Sequence, residues 1–430
     1  LRTLKDWLDW AGTLHPSRME LGLGRVGEVW ARMGGGGLGC PAILVGGTNG
    51  KGSCVAMIES MAAAAGYRVA CYTSPHLLRY NERVRIAGRE AEDGALCGAF
   101  ERVESARGTT QLTYFELGTL AAFDLIRTAA PDLAVLEVGL GGQLDAVNLI
   151  DGDAALVASI GRDHVQWLGE TPEEIALEKA GIFRPHRVAV IGDPGAPPVL
   201  REAAERLGAR PLQVGRELRV EPDPAGGGWT WGGPEGERLA MPAPALRGAV
   251  QLHNAAAAIA ALRALKDRLP VPASALRAGL LRARPPGRFQ VVPGRPSWIL
   301  DVAHNREAAQ ALAQSLVAYG CRGRVRAVLA VLADKEPELI ALPLVPLVER
   351  WYLSRGDDPR AMPAETLALR LRGTLAGAES LVFGELDRAL ERAQADSAPD
   401  DSIVVYGSFV TVAQALARVG AGDLAGILPG

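Results

Sequence analysis

Short apolar runs alternate along this chain with longer stretches in which apolar positions recur every three or four residues. The runs at 43–45, 68–73, 133–138, 154–160 and 188–191 predict buried strands, and the stretches at 55–65, 92–106, 115–130 and 172–180 predict helices. Such alternation predicts a mostly parallel sheet covered on both sides. Ahead of the first strand, Leu4, Trp7 and Leu8, then Leu21, Leu23, Val26, Val29 and Trp30, recur near helical spacing until Gly34-Gly35-Gly36-Gly37 breaks the pattern. Between 213 and 242 the character changes. Gly226-Gly227-Gly228-Trp229-Thr230-Trp231-Gly232-Gly233 predicts a surface hairpin, added antiparallel to the main sheet. An Ala-rich helix is predicted from Asn254 to about Leu269. The Pro/Gly cluster at 284–288 and 293–296 marks a domain boundary. Beyond it, runs at 298–300, 325–332, 351–354, 381–383 and 403–406 alternate with helical stretches. The expectation is an α/β protein: a parallel-sheet domain over residues 1–285, then a smaller α/β domain over 286–430.

Length supports that division, since 430 residues exceed what one core normally serves. A net charge of −3 gives no global reason to expect nucleic acid or an anionic membrane as partner. Cys40, Cys54, Cys71, Cys97 and Cys321 are scattered, odd in number and free of any C-x-x-C pair, which argues against a disulfide framework or structural zinc and for a reducing cytosol. No apolar run reaches the eighteen or so residues a membrane span needs. Leu1-Arg2-Thr3-Leu4-Lys5-Asp6-Trp7 is unlike a signal peptide.

Candidate chemistry begins at Ile43-Leu44-Val45-Gly46-Gly47-Thr48-Asn49-Gly50-Lys51-Gly52-Ser53, where an apolar run and a glycine turn lead into a helix with Val55, Ile58 and Ala62 inward. The phosphate-loop pattern matches only at Gly50-Lys51-Gly52-Ser53, because Val45 and Gly52 stand where it wants Gly and Ser or Thr. In such a loop, backbone N–H groups and the positive helix end surround phosphate oxygens. A Lys neutralises charge there, and a Ser hydroxyl can ligate Mg²⁺. A glycine turn before an ordinary helix is the alternative.

Glu137 ends an apolar strand beside Gly139, Gly141 and Gly142, at the sheet edge where α/β proteins bind ligands and a carboxylate can hold Mg²⁺. The alternative is a strand-end Glu facing solvent. Asp163-His164 follows the next strand at the equivalent edge, although a lone His is more often structural. Thr171, Pro172 and Glu174 predict a capping box, with Gly181 as the stop. Lys179 then falls in the last turn, where complementing the helix dipole is its ordinary role. In the second domain, Asp301 ends a strand and suits ribose hydroxyls, against helix capping by Asp301 or Asn305. Arg288 in the linker is placed either for a nucleotide phosphate or for solvent.

Nine segments in order resemble the folylpolyglutamate synthase and dihydrofolate synthase family of ATP-dependent Mur-type ligases. They are Gly47-Thr48-Asn49-Gly50-Lys51-Gly52-Ser53; Tyr72-Thr73-Ser74-Pro75-His76-Leu77 with Tyr80-Asn81-Glu82-Arg83-Val84; Thr113-Tyr114-Phe115-Glu116-Leu117-Gly118-Thr119; Glu137-Val138-Gly139-Leu140-Gly141-Gly142; Asp163-His164 with Trp167-Leu168-Gly169; Glu178-Lys179-Ala180-Gly181-Ile182; Gly287-Arg288-Phe289; Leu300-Asp301-Val302-Ala303-His304-Asn305; and Tyr406-Gly407-Ser408-Phe409. The resemblance runs from about residue 20 to 415. Each segment alone is weak, but their order is specific.

The resemblance implies a P-loop ATPase-like first domain and a Rossmann-like second domain. It further implies that Asn49, Gly50, Lys51, Gly52 and Ser53 hold the ATP triphosphate, and that Asn254, Arg288 and Asp301 make further nucleotide contacts. Ser74, Glu137, His164 and Ser53 would serve two Mg²⁺ ions. Lys179 would be carbamylated by CO₂ and support the second metal, and His304 would lie near the γ-phosphate and incoming amino acid. Lys51, His164, Lys179 and His304 form the implied catalytic set. On the pteroate side, Met19-Glu20-Leu21-Gly22-Leu23-Gly24-Arg25-Val26 resembles the dihydropteroate segment of bifunctional members. Thr113, Tyr114, Phe115 and Glu116, with Leu144, Asp145 and Ala146, resemble the remaining contacts. The implied substrates are dihydropteroate, tetrahydrofolates and L-glutamate, handled by a cytoplasmic monomer; assistance from a monovalent cation stays open.

The implied reaction passes the γ-phosphoryl of ATP to a carboxylate, and the glutamate amine then attacks the acyl phosphate. Gln143 and Val147 depart from the arginine and threonine common in the family, and Arg306 stands where a proline often follows. Residue 253, before Asn254, lies in a variable region. Three alternatives remain open: a monofunctional folylpolyglutamate synthase, a ligase of cell-wall precursors, and a nucleotide-dependent regulatory protein without ligase activity.

Overall fold

All five residues of the strand Ala42–Gly46 are buried, which requires cover on both faces and neighbours on both edges. A computed structural model describes residues 2–14, 20–224 and 226–419, so Met19 lies outside the described residues. Leu133–Glu137 and Ala154–Val157 flank the central strand in parallel, with Val45 opposite Glu137 and Gly46 opposite Val157. Across the eight-stranded sheet the order is Arg89–Glu90, Val84–Ile86, Val69–Tyr72, Leu133–Glu137, Ala42–Gly46, Ala154–Val157, Val188–Ile191 and Arg210–Gln213. The two strands at the Arg89–Glu90 edge pair antiparallel and the rest are parallel. Because the central run is parallel, its strand ends converge on one edge with the chain that follows them.

Contacts divide the chain into two compact units: residues 1–245 with 251–283, and residues 246–250 with 284–430. In the second unit the strand order is Gln290–Val292, Ser297–Leu300, Ser402–Tyr406, Val325–Leu329, Val348–Ser354 and Glu379–Phe383. Only Gln290–Val292 runs antiparallel. Trp351, Tyr406 and Leu353 lie in its core.

Several expectations need correction. Residues 226–233 are no addition to the main sheet. Gly228–Gly232 is instead the middle strand of a separate antiparallel sheet with Arg219–Pro222 and Arg238–Pro242. Two residues apart on one strand, Trp229 and Trp231 share a face, and both are buried. Each indole N–H needs an acceptor, found at Pro242 O (3.0 Å) and Ala256 O (3.2 Å) respectively. The Ala-rich helix begins earlier and ends sooner than predicted, spanning Val250–Arg263. A further helix, Ala273–Arg282, went unpredicted. It fits because Gly279 lies so close to Met61 that a Cβ there would sit 2.4 Å from its Cα.

Candidate active site

The strand Ala42–Gly46 delivers the glycine loop, and the helix Lys51–Ala64 leaves it. Gly50 is the N-cap of that helix, with φ at +85° and no side chain to cap the first turn. The loop is tied to the chain beyond the neighbouring strand. Thr48 N donates to Ser159 O (2.8 Å), Asn49 N donates to Ser159 Oγ (2.9 Å), and that hydroxyl donates to Asn49 O (3.0 Å). Thr48 Oγ1 donates to Gly161 O and accepts from Gly161 N, at 3.1 and 3.0 Å. Lys51 Nζ donates to Gly47 O (2.9 Å) and Thr48 O (3.2 Å), which holds its charge over the loop. Ser53 is buried in the first turn. Asn254, from the Val250–Arg263 helix, abuts Gly50.

Glu137 is buried rather than facing solvent, and its Oε2 accepts from Ser74 N at 3.3 Å. The register that places it opposite Val45 puts it at the root of the loop. His164 has φ at +51° as N-cap of the short helix Val165–Leu168, and its N–H donates to Asp163 Oδ1 at 2.9 Å.

The predicted capping box starts the helix Pro172–Ala180. Its Lys179 is only 3% exposed, which rules out a solvated dipole role. Burial, then repulsion from Lys51, pull its amine down to about 7, against attraction by Asp163, Glu178 and Asp145. The glycines after Glu137 explain the approach. A Cβ on Gly142 would meet Glu178 O at 2.6 Å and Lys179 Cα at 2.9 Å. Gln143 donates its N–H to Glu178 O (3.1 Å) and so serves through backbone at this joint. Asp145 is pushed up to about 6 by burial, despite bonds from Leu140 N and Val147 N and the charge of Lys51.

The pteroate-like segments also meet. Gly22 N donates to Leu144 O at 3.1 Å. Arg25 pairs with Glu20 on one side and, at 3.0 Å, with buried Glu116 on the other. Thr113 and Glu116 cap the helix Tyr114–Ala129 reciprocally, at 2.7 and 3.2 Å. Phe115 stacks on Tyr72, with centroids 6.2 Å apart, and lies against Gly139. Leu21 and Leu23 are partly buried beside them, Ala146 is buried and Leu144 is exposed.

In the second unit, Asp301 accepts from Phe289 N and Ala303 N, both at 2.8 Å, and burial pushes its carboxyl up. Asn305, not Asp301, caps the helix Arg306–Tyr319. Arg306 is therefore its first residue, a position where a proline would fit equally well because the N–H there makes no intrahelical bond. His304 Nδ1 faces Val302 O at 2.8 Å. Arg288 lies 5.1 Å from the Phe409 ring centre, and His304 packs on the same ring at 6.0 Å.

Sequence reasoning missed Ser159, which stitches the loop, Arg25, which joins two pteroate-like segments, and Phe409, shared by Arg288 and His304. Arg25 and Phe409 lie inside quoted segments. Ser159 carried no signal beyond standing at a strand end. Among the described residues no three His, Cys, Asp or Glu side chains gather as a metal cage, and no helix is long and apolar enough to cross a membrane.

Comparison with known proteins accords with this geometry. The Mur ligase middle domain matches residues 45–262, and the glutamate ligase domain of Mur ligases matches 287–409. The dihydrofolate synthase/folylpolyglutamate synthase of Escherichia coli is 41% identical over 416 residues, covering 96% of this chain and 94% of that protein. The structure of E. coli FolC in complex with DHPP and ADP matches with a TM-score of 0.92 at 40% identity, covering 98% of each chain. A bifunctional folylpolyglutamate synthase/dihydrofolate synthase with Mn, AMPPNP and L-glutamate bound matches with a TM-score of 0.88 at 40% identity, covering 97% of this chain and 98% of that one. The chain belongs to the dihydrofolate synthase/folylpolyglutamate synthase family of Mur ligases.

Proposed function

We propose that this chain joins L-glutamate to dihydropteroate and to the glutamyl tails of folates, using ATP to convert the accepting carboxylate into an acyl phosphate. The observation that carries this reading is the convergence of the glycine loop, Glu137 and the buried Lys179 at one sheet edge. A bare carboxylate is a poor acylating agent because oxide leaves badly, and phosphorylation supplies the leaving group. Asn49, Gly50, Lys51, Gly52 and Ser53 would take the triphosphate, with Lys51 placing positive charge where it builds during transfer. Asn254, Arg288 and Asp301 would contact the nucleotide, and His304 the incoming amino acid.

The donor set suits a hard divalent cation. Glu137, Ser74, Ser53 and His164 offer oxygen and one nitrogen, and Mg²⁺ typically takes one or two carboxylates and completes its shell with phosphate oxygens and water. Bound there, up to two such ions would neutralise phosphate charge. Lys179 is suited to carbamylation. With its amine near 7, an unprotonated fraction exists at neutral pH to attack CO₂, losing a proton as the carbamate forms. Glu20, Leu21, Gly22 and Leu23, with Thr113, Tyr114, Phe115, Glu116, Leu144, Asp145 and Ala146, would hold the pteroate. The tie of residues 22 and 25 to Leu144 and Glu116 supports the bifunctional reading over the monofunctional one. Five free cysteines suit a reducing cytoplasm. We take the working unit to be a monomer.

Incubation with ATP, Mg²⁺, glutamate and either dihydropteroate or tetrahydrofolate, with products read by mass, tests the reading. Both acids should gain glutamate. Lys51→Ala should abolish turnover, and glutamate-dependent ADP release at the wild-type rate in that variant would refute the loop assignment.

A further inference from the structure

Two arginines stand two residues apart after the Ser74 turn, and they are used differently. Arg85 has its partners within the fold: Nη2 lies 2.8 Å from Glu59 Oε2, and Nη1 donates to Thr73 Oγ1 (3.2 Å) and Glu82 O (3.1 Å). Arg83 is only 9% exposed, yet among the described residues its one side-chain hydrogen bond runs from Nε to His76 Nδ1, at 2.9 Å. Its guanidinium otherwise lies over the rings of Tyr80 and Tyr114, at 5.1 and 5.7 Å. The adjacent carboxylate of Glu82 is occupied by the N–H groups of Leu77 (2.8 Å), Leu78 (2.6 Å) and Arg79 (2.6 Å). Burying a cation without a counter-charge is costly. Neither Nη belongs to the fully enclosed, unpartnered nitrogens of the fold, so both keep some exposure.

The surroundings indicate what the two Nη groups could bind. Arg83 O accepts from Thr73 N at 2.8 Å, so the residue is fixed to the turn whose Ser74 N reaches Glu137. Its other flank is Tyr114, in the segment that carries Phe115 and Glu116. The guanidinium thus lies against an aromatic wall, on a residue whose backbone is tied to the turn that carries Ser74. The paired Nη donors of an arginine match the two oxygens of a carboxylate. We propose that Arg83 is the seat of the substrate carboxylate that becomes phosphorylated, an aryl or γ-glutamyl carboxylate whose apolar body lies along Tyr80 and Tyr114. This rests on the ligase reading above and names the residue that receives its acid. His76 supports the arrangement: its Nδ1 accepts from Arg83 Nε at 2.9 Å, which helps fix the plane of the guanidinium.

The test compares binding of dihydropteroate with binding of its carboxamide, in the presence of ADP, to wild type, Arg83→Gln and Arg83→Lys. Wild type should prefer the carboxylate by about ten- to a hundredfold, as expected for charge-assisted hydrogen bonds. Arg83→Gln should lose that preference and Arg83→Lys keep part of it, while ADP affinity stays at wild-type level in both. Wild type binding acid and amide within about twofold would overturn the proposal without any variant. An undiminished preference in Arg83→Gln, alongside normal wild-type turnover, refutes the Arg83 seat alone. A wild type that releases no ADP in response to glutamate refutes the ligase reading and this seat with it.

Discussion

Gly50 lies so close to Asn254 that a Cβ built on it would stand 2.8 Å from Oδ1. Its φ of +85° is in the left-handed region, which costs an L side chain roughly 1–2 kcal/mol before any clash. Gly50→Ala must therefore move the loop or push Asn254 away, and both carry proposed nucleotide contacts. The expected outcome is a loss of ATP affinity of at least about tenfold, with thermal stability lowered by about 1–2 kcal/mol. Titration with a non-hydrolysable ATP analogue and thermal unfolding read the two effects separately. Wild-type affinity in the variant would show that the loop does not cradle the nucleotide.

Lys179 gives a pH dependence with a definite sign. Its folded value of about 7 lies below the ordinary 10.5, so between those limits the unfolded chain holds a proton that the native chain lacks. Its contribution to stability therefore rises with pH across that window and is lost as pH falls toward 7. Each tenfold in proton affinity corresponds to about 1.4 kcal/mol. Lys179→Met should flatten the curve of denaturant midpoint against pH between about 7 and 10, in chelator and without bicarbonate. Parallel curves for wild type and variant would place the amine in water.

The cap of the Lys179 helix was legible because Thr171, Pro172 and Glu174 act within one turn, where sequence spacing is spatial proximity. The central strand was legible for a similar reason, since a run buried on both faces carries no polar residue. Pairings across long sequence separation were not. Nothing near Arg25 announces Glu116, and Thr48 and Asn49 do not reveal Ser159. The Trp229–Trp231 strand was misassigned because its glycines suggest a turn, whereas burial of two indoles decides the outcome. That Lys179 is desolvated depends on Gly142 letting backbone approach, which no helical pattern encodes.

Arg25 bridges Glu20 and Glu116, and Glu116 also accepts from Thr113 N at the helix start. Arg25→Ala leaves a buried carboxylate with less compensation and frees residues 20–23 from the Tyr114–Ala129 helix. Breaking such a partly buried pair should cost about 1–3 kcal/mol of stability. It should raise KM for dihydropteroate far more than KM for ATP. Steady-state kinetics with each substrate varied in turn checks this, and equal changes in both would remove Arg25 from the acid side.

In the second unit, Phe409 presents one ring to both Arg288 and His304. Arg288 Nη1 donates to local carbonyls, at 3.5 Å to Pro286 O and 3.4 Å to Gly287 O, and the ring adds a contact on the guanidinium. A cation on an aromatic face is stabilised by about 0.5–2 kcal/mol, most when water is excluded. If Arg288 touches the nucleotide, Phe409→Ala should cost part of what Arg288→Ala costs, and the double variant should cost less than their sum. The shortfall, read from kcat/KM for ATP, should be about 0.5–2 kcal/mol. Strict additivity would mean that Phe409 packs without orienting Arg288. Phe409→Leu distinguishes bulk from ring charge, since it keeps the apolar volume without the aromatic face and should behave like Phe409→Ala in the cycle.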